Sequence, residues 1–176
     1  VEATGSGLFI FDADADIDGT GMLNFGNHSN VTFTSPLIDH VLIVAADMNV
    51  GGHLDFGAAK VEIQTSYYQT FTSPYYTMNL GPNSATDFLL TNGEIDRIAT
   101  THTLTFGGLL TDWIILNEYQ EDITSSVSLI AAQTKNADIF ISGASSFSSV
   151  TTFSARNDIT ATDDIAVTDD LNLIAD

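Results

Sequence analysis

The chain ends on a regular step. From Asp158 it reads DITATD, DIAVTD and DLNLIAD, and each block opens on an aspartate, at Asp158, Asp164 and Asp170. An aliphatic residue follows each one (Ile159, Ile165, Leu171), and a second small or apolar residue comes two positions later (Ala161, Val167, Leu173). In an extended strand, residues two apart point to the same side. A strand of about four residues with a corner every six is too short for an ordinary hairpin sheet. It fits one side of a triangular coil, in which each strand stacks on its equivalent one coil later.

Such strands should then recur along the chain, and short β-like runs do, parted by Asn, Asp, Gly and Ser. They are LFIF (Leu8 to Phe11), VTFT (Val31 to Thr34), VLIVAA (Val41 to Ala46), HLDF (His53 to Phe56) and VEIQ (Val61 to Gln64). Later come TLTF (Thr103 to Phe106), WIIL (Trp113 to Leu116), VSLIAA (Val127 to Ala132), DIFIS (Asp138 to Ser142) and VTTFSA (Val150 to Ala155). One helical turn is expected, at NGEIDRI (Asn92 to Ile98), with Asn92 as its cap. The fold class read from this pattern is all-β: a parallel β-helix, or β-solenoid, spanning residues 1–176 as a single unit. With coils of ~18–25 residues it would have roughly eight coils. Right-handed winding is expected, and the six-residue step leaves a left-handed β-helix as the alternative.

Two echoes extend the reading. TFTSP occurs at Thr32 to Pro36 and again at Thr70 to Pro74, a distance that suits two coils of ~19 residues. LNLIAD at the C-terminus resembles the start of LFIFDADAD when Leu171 is aligned with Leu8, so the segment stops near the phase in which it began. Neither end carries an amphipathic helix to cover its last strand, as an isolated solenoid needs. The chain therefore reads as one unit of a longer tandem array.

The order of motifs carries a resemblance. DADADIDGTGMLNF is followed by VLIVAADMNVGGHLDFGAAKVEI, MNLGP, TNGEIDRIATTHTLTFGG and SVSLIAAQTKNADIFISGASSFSSVTTFSARNDITATDDIAV. This series resembles the giant tandem β-strand-repeat surface proteins of unicellular algae. It is more loosely similar to the β-helical shafts of filamentous-haemagglutinin-type adhesins. The resemblance implies a right-handed parallel β-helix in an extracellular, cell-surface protein. TSYYQTFTSPYYTM (Thr65 to Met78) and DWIILNEYQEDI (Asp112 to Ile123) depart from it in their aromatic content, and partner contacts are expected there.

Charge narrows the function. Eighteen Asp and five Glu face only Lys60, Arg97, Lys135 and Arg156, for a net charge of -19. Such a surface repels nucleic acid and anionic lipid and attracts cations. The longest apolar run, VLIVAA, is too short to span a bilayer, so no membrane insertion is expected. Without cysteine, disulfides and thiolate chemistry are excluded. Two overlapping sequons, at Asn27 and Asn30, would mark a glycosylated turn in a secreted chain.

The densest acidic stretch is FDADADIDGTG, with Asp12, Asp14, Asp16 and Asp18 at alternate positions. Read from Asp14, it matches positions one, three, five and six of an EF-hand loop. Position twelve is Phe25, however, where a bidentate Glu belongs. As a strand it forms a carboxylate row with ~6.6 Å between neighbours. It is then either a loose calcium site, with calcium as the one cofactor expected, or a solvated acidic corner. Catalysis is not expected: the carboxylates are plentiful but unpaired by any motif, and His28, His40, His53 and His102 lack metal-ligand spacing.

Tyr67, Tyr68, Tyr75 and Tyr76 flank the second TFTSP. Each pair should send one ring outward, which suits an interface. The expected function is a structural, non-enzymatic building block of an extracellular filament or adhesive shaft, whose partners are other copies of itself. The alternative is a β-helix that binds or cleaves extracellular glycans.

Overall fold

A computed structural model of the chain describes residues 2–3, 7–15, 21–66, 77–82, 88–109, 111–120, 125–132 and 136–175. Within them the protein is all-β apart from one short helix, and every strand pairing is parallel. The ten β-like runs of the sequence fall on strands to within a residue.

The strands form three stacks. The first holds β2 (Gly7–Asp12), β5 (Ile38–Ala45), β8 (Lys60–Thr65), β12 (Thr103–Gly108), β14 (Ser126–Ala131), β17 (Thr151–Ala155) and β20 (Leu171–Ala175) in one seven-stranded sheet. The second contains β3 (Met22–Phe25) beside β6 (Asp47–Val50). It continues as β10 (Phe88–Leu90), β9 (Thr77–Leu80), β13 (Trp113–Asn117), β15 (Asp138–Ser142) and β18 (Ile159–Ala161). The third begins β1 (Glu2–Ala3), β4 (Asn30–Phe33), β7 (His53–Asp55), β11 (Ile98–Ala99). It resumes with a bridge from Gln120 to Ser146 in β16 (Ser145–Phe147), which pairs with β19 (Ile165–Val167). The chain visits the stacks in rotation. The six-residue step at the C-terminus is one such round, because β18, β19 and β20 each belong to a different stack.

Register explains the core. In the first stack the ladders place Phe9, Val41, Val61, Leu104, Val127, Thr151 and Leu171 in one column. Phe11, Ile43, Ile63, Phe106, Leu129, Phe153 and Leu173 form a second column two residues on. Residues two apart share a side, so both columns face the core, and Ile43, Ile63, Phe106, Leu129 and Phe153 are fully buried. Each such side chain contributes about 1.5–3 kcal/mol by leaving water. Aromatic contacts tie the stacks together. Phe33 of the third stack meets Phe9 of the first with ring centroids 5.1 Å apart, Phe147 of the third meets Phe153 of the first at 5.2 Å, and Phe11 of the first meets Phe25 of the second at 5.7 Å.

These ladders correct one of the two sequence echoes. Leu171 falls in register with Phe9, not Leu8, because Leu8 points outward and is 54% exposed. A one-residue slip would turn every side chain to the other face. Thr32 leads through Asp55 to Ala99, while the second TFTSP, Thr70 to Pro74, lies outside the described residues. The tallest described sheet has seven strands rather than eight, because some rounds are long: Phe9 to Val41, and Val61 to Leu104.

The second of those long rounds is irregular. After β9 the chain turns at Gly81, whose φ of +110° suits glycine. It then lays β10 between β9 and β6. The Asp47 carboxylate accepts the Leu89 N–H at 3.3 Å, where a ladder bond from β6 would otherwise be made. The helix α1 (Asn92–Ile95) follows. Its N-cap is Thr91, not Asn92: the Glu94 carboxylate accepts the Thr91 N–H at 2.9 Å and the Thr91 hydroxyl at 2.7 Å. Asn92 reaches forward instead. Its amide donates to the Glu118 carbonyl (3.1 Å) and accepts the Gln120 N–H (3.2 Å). Glu94 also accepts the Val50 N–H, and Arg97 donates to the Val50 carbonyl. One helical turn thus satisfies backbone groups both before and after the inserted strand.

Candidate functional site

The acidic row does not continue as an extended strand. β2 ends at Asp12, whose side chain accepts the Asp14 N–H at 3.1 Å, the local bond of a turn. Asp12 is exposed, while Asp14 is turned in and 3% exposed, so the two do not share one outer face. Asp16 and Asp18 lie outside the described residues. Among the described residues no three His, Asp or Glu side chains gather as a metal site. The C-terminal aspartates sit at corners: Asp163 accepts the Gly143 N–H of the preceding round at 3.0 Å, and Asp169 accepts the adjacent Asp170 N–H at 3.0 Å.

Both sequon asparagines are exposed. Asn27 lies in the turn after β3, and Asn30 opens β4. Tyr67, Tyr68, Tyr75 and Tyr76 all lie outside the described residues. The histidines are dispersed: His40 lies 3.3 Å from the Glu62 carboxylate, His102 bonds the Thr103 hydroxyl at 3.1 Å, and His28 and His53 are exposed.

One buried acid went unnoticed in the sequence. Asp112 is fully buried at the corner before β13, and neither of its carboxylate oxygens has a hydrogen-bond partner. Its carbonyl accepts the Asp138 N–H at 2.9 Å, so the backbone is satisfied while the side chain is not. A DW pair before an aliphatic run gives no hint of this, since Asp usually marks an exposed corner.

Among the described residues, apolar side chains are exposed or half-buried near both ends of the sequence. At the N-terminal end, Phe11, Asn24, Phe25, His28, Ser29, Asn30 and Val31 line an open depression of about 580 Å³, where the core meets solvent. Phe9, Phe11 and Leu23 are only partly buried there. At the C-terminal end all of β20 is exposed, with Leu171, Leu173 and Ile174 at 37%, 58% and 51%. Here the inward columns of the first stack simply run out. Among the described strands, β2 and β20 are the outer ones of that sheet, and β18 is an outer strand of its own.

Compared with family models, curated proteins and solved structures, the chain matches none.

Proposed function

We propose that the three stacks are the faces of one right-handed parallel β-solenoid, and that the chain is a structural, non-enzymatic unit of an extracellular filament or adhesive cell-surface shaft. Handedness follows from strand chemistry: a crossover between parallel strands of one sheet is right-handed in about 98% of cases. Rounds of unequal length also disfavour the left-handed hexapeptide form.

The observation that carries the reading is the seven-stranded parallel ladder of the first stack, whose two inward columns run from Phe9 to Leu171 and from Phe11 to Leu173 without a shift. Parallel stacking makes length easy to add, because each strand satisfies the next. The acidic walls keep such rods apart sideways while their ends meet. Calcium binding at Asp12, Asp14, Asp16 and Asp18 belongs to the same proposal, as does carbohydrate at Asn27 and Asn30.

Electron microscopy and sedimentation velocity over a concentration series test it. Rods that lengthen with concentration at constant width are expected. A chain that stays monomeric at every concentration and salt would sink the filament.

A further inference from the structure

The orphan Asp112 carboxylate has a companion. Ser66, just past the end of β8, is 5% exposed, and its hydroxyl also lacks a hydrogen-bond partner. Two observations place the pair on adjacent rounds of one corner. Thr65 and Thr111 are both buried and meet through their hydroxyls at 3.4 Å, and Ser66 and Asp112 are the residues that follow them. The backbone bonds agree. The Ser66 N–H donates to the Ala45 carbonyl and the Ala132 N–H to the Thr111 carbonyl, each reaching back one round in the same way. Ser66, Asp112 and Ala132 therefore share one corner column, with a spacing of ~4.8 Å between neighbouring rounds.

We propose that this buried corner binds a monovalent alkali cation, sodium or potassium, through the Asp112 carboxylate and the Ser66 hydroxyl, with the hydroxyls of Thr65 and Thr111 beside them. A serine hydroxyl can donate to a carboxylate directly, yet these two do not bond each other. A bridging water would satisfy both groups but leave the charge unbalanced, and an unpaired buried carboxylate is costly. A cation answers both needs, since hydroxyl and carboxylate each offer it lone pairs.

The donors select the kind of ion. These four side chains offer oxygen alone, without nitrogen or sulfur, which suits alkali and alkaline-earth ions over transition metals. One carboxylate balances one positive charge. A calcium ion would leave a charge over, and calcium sites are built from several carboxylates. Among the described residues no group of three His, Asp or Glu forms at this corner. Of the described basic side chains, Arg97 donates to the Val50 carbonyl and Arg156 to the Ala132 carbonyl. Lys135 lies outside the described residues and is the rival partner for Asp112.

Thermal melts in sodium, potassium and choline chloride at one ionic strength, with chelator present, test the site. With the ion at about ten times its dissociation constant, the wild-type midpoint should stand about 3–6 °C higher in sodium or potassium than in choline. Asp112→Asn keeps the shape of the side chain and should melt alike in all three salts. Ser66→Ala should show a smaller gain, and it carries the comparison if Asp112→Asn does not fold. Asp164→Asn removes the same charge from an exposed corner and should keep the full gain. Deleting the carboxylate with Asp112→Ala should stabilise the chain in choline chloride and do so less in sodium chloride. A wild-type midpoint indifferent to the cation would overturn the proposal, and a loss of stability in Lys135→Ala would then name the partner. A gain that survives in Asp112→Asn would place the ions on the acidic surface and would also overturn it. A response to millimolar calcium, without chelator and lost in Asp112→Asn, but none to sodium or potassium would overturn the monovalent assignment.

Discussion

Truncating one inward column at two heights should separate its middle from its end. Phe106 and Leu173 belong to the same column of the first stack, but Phe106 is fully buried and Leu173 is 58% exposed. Phe106→Ala removes a ring enclosed by neighbours above and below, and such changes cost about 3–5 kcal/mol. Leu173→Ala in the monomer removes a side chain that has already kept most of its water, and it should cost about 1 kcal/mol or less. With a urea m-value of about 2 kcal/mol/M, Phe106→Ala shifts the midpoint down by ~2 M and Leu173→Ala by under ~0.5 M. Both should be measured by circular dichroism and by intrinsic fluorescence from Trp113, which reports separately on the second stack. Superimposable curves would show that the stacks unfold together. Equal losses for the two variants would refute a common column with a buried middle and an exposed last strand.

Three further outcomes follow from local geometry. Asp112→Ala should raise stability by about 1–3 kcal/mol, because it removes a buried carboxylate with no partner; a loss in the melt would show that the carboxylate is satisfied. Gly81→Ala should lower stability by about 1–3 kcal/mol, since φ is +110° and a Cβ would stand 2.0 Å from the Asn117 carbonyl oxygen; an unchanged midpoint would mean that the turn before β10 can relax. If the acidic stretch from Asp12 to Asp18 holds calcium, excess chelator should lower the melting temperature, and the shift should vanish in the Asp14→Asn variant. A midpoint indifferent to chelator would reduce the row to a solvated corner.

Strand positions were legible because they depend on local alternation. IDHVLIVA and VSLIAA place an apolar residue at every inward position, and nothing distant changes that. Register across the whole chain was less legible. Leu171 and Leu8 are the same residue, so matching letters aligned an inward leucine with an outward one; only the ladders tell the two sides apart. The cap of α1 was misplaced by one residue for a similar reason. Thr91 and Asn92 both cap well, and the choice was made by Glu118 and Gln120, far along the chain, which engage Asn92. The acidic row failed as a strand because the Asp12 side chain captures the backbone two residues on and ends β2. β10 has no signature of its own: FLL in a polar setting is as consistent with a short helix, and its place is fixed by Asp47 and by β9.

The inserted strand has a mechanical consequence. Between β5 and β14 the first stack holds two strands, β8 and β12. Between β6 and β15 the second holds three: β10, β9 and β13. Across this stretch the second stack therefore gains a strand spacing on the first. An extra ~4.8 Å on one face, set against a sheet roughly 10 Å away, amounts to a wedge of up to about 25°. Were copies to stack end to end as proposed, a bend fixed in each would wind the line of them into a coil, and a coil lengthens under load by unwinding before any strand must separate. A fibre built this way would stretch like a spring, with its compliance set by the ten or so residues that carry β10 and α1 into the stack.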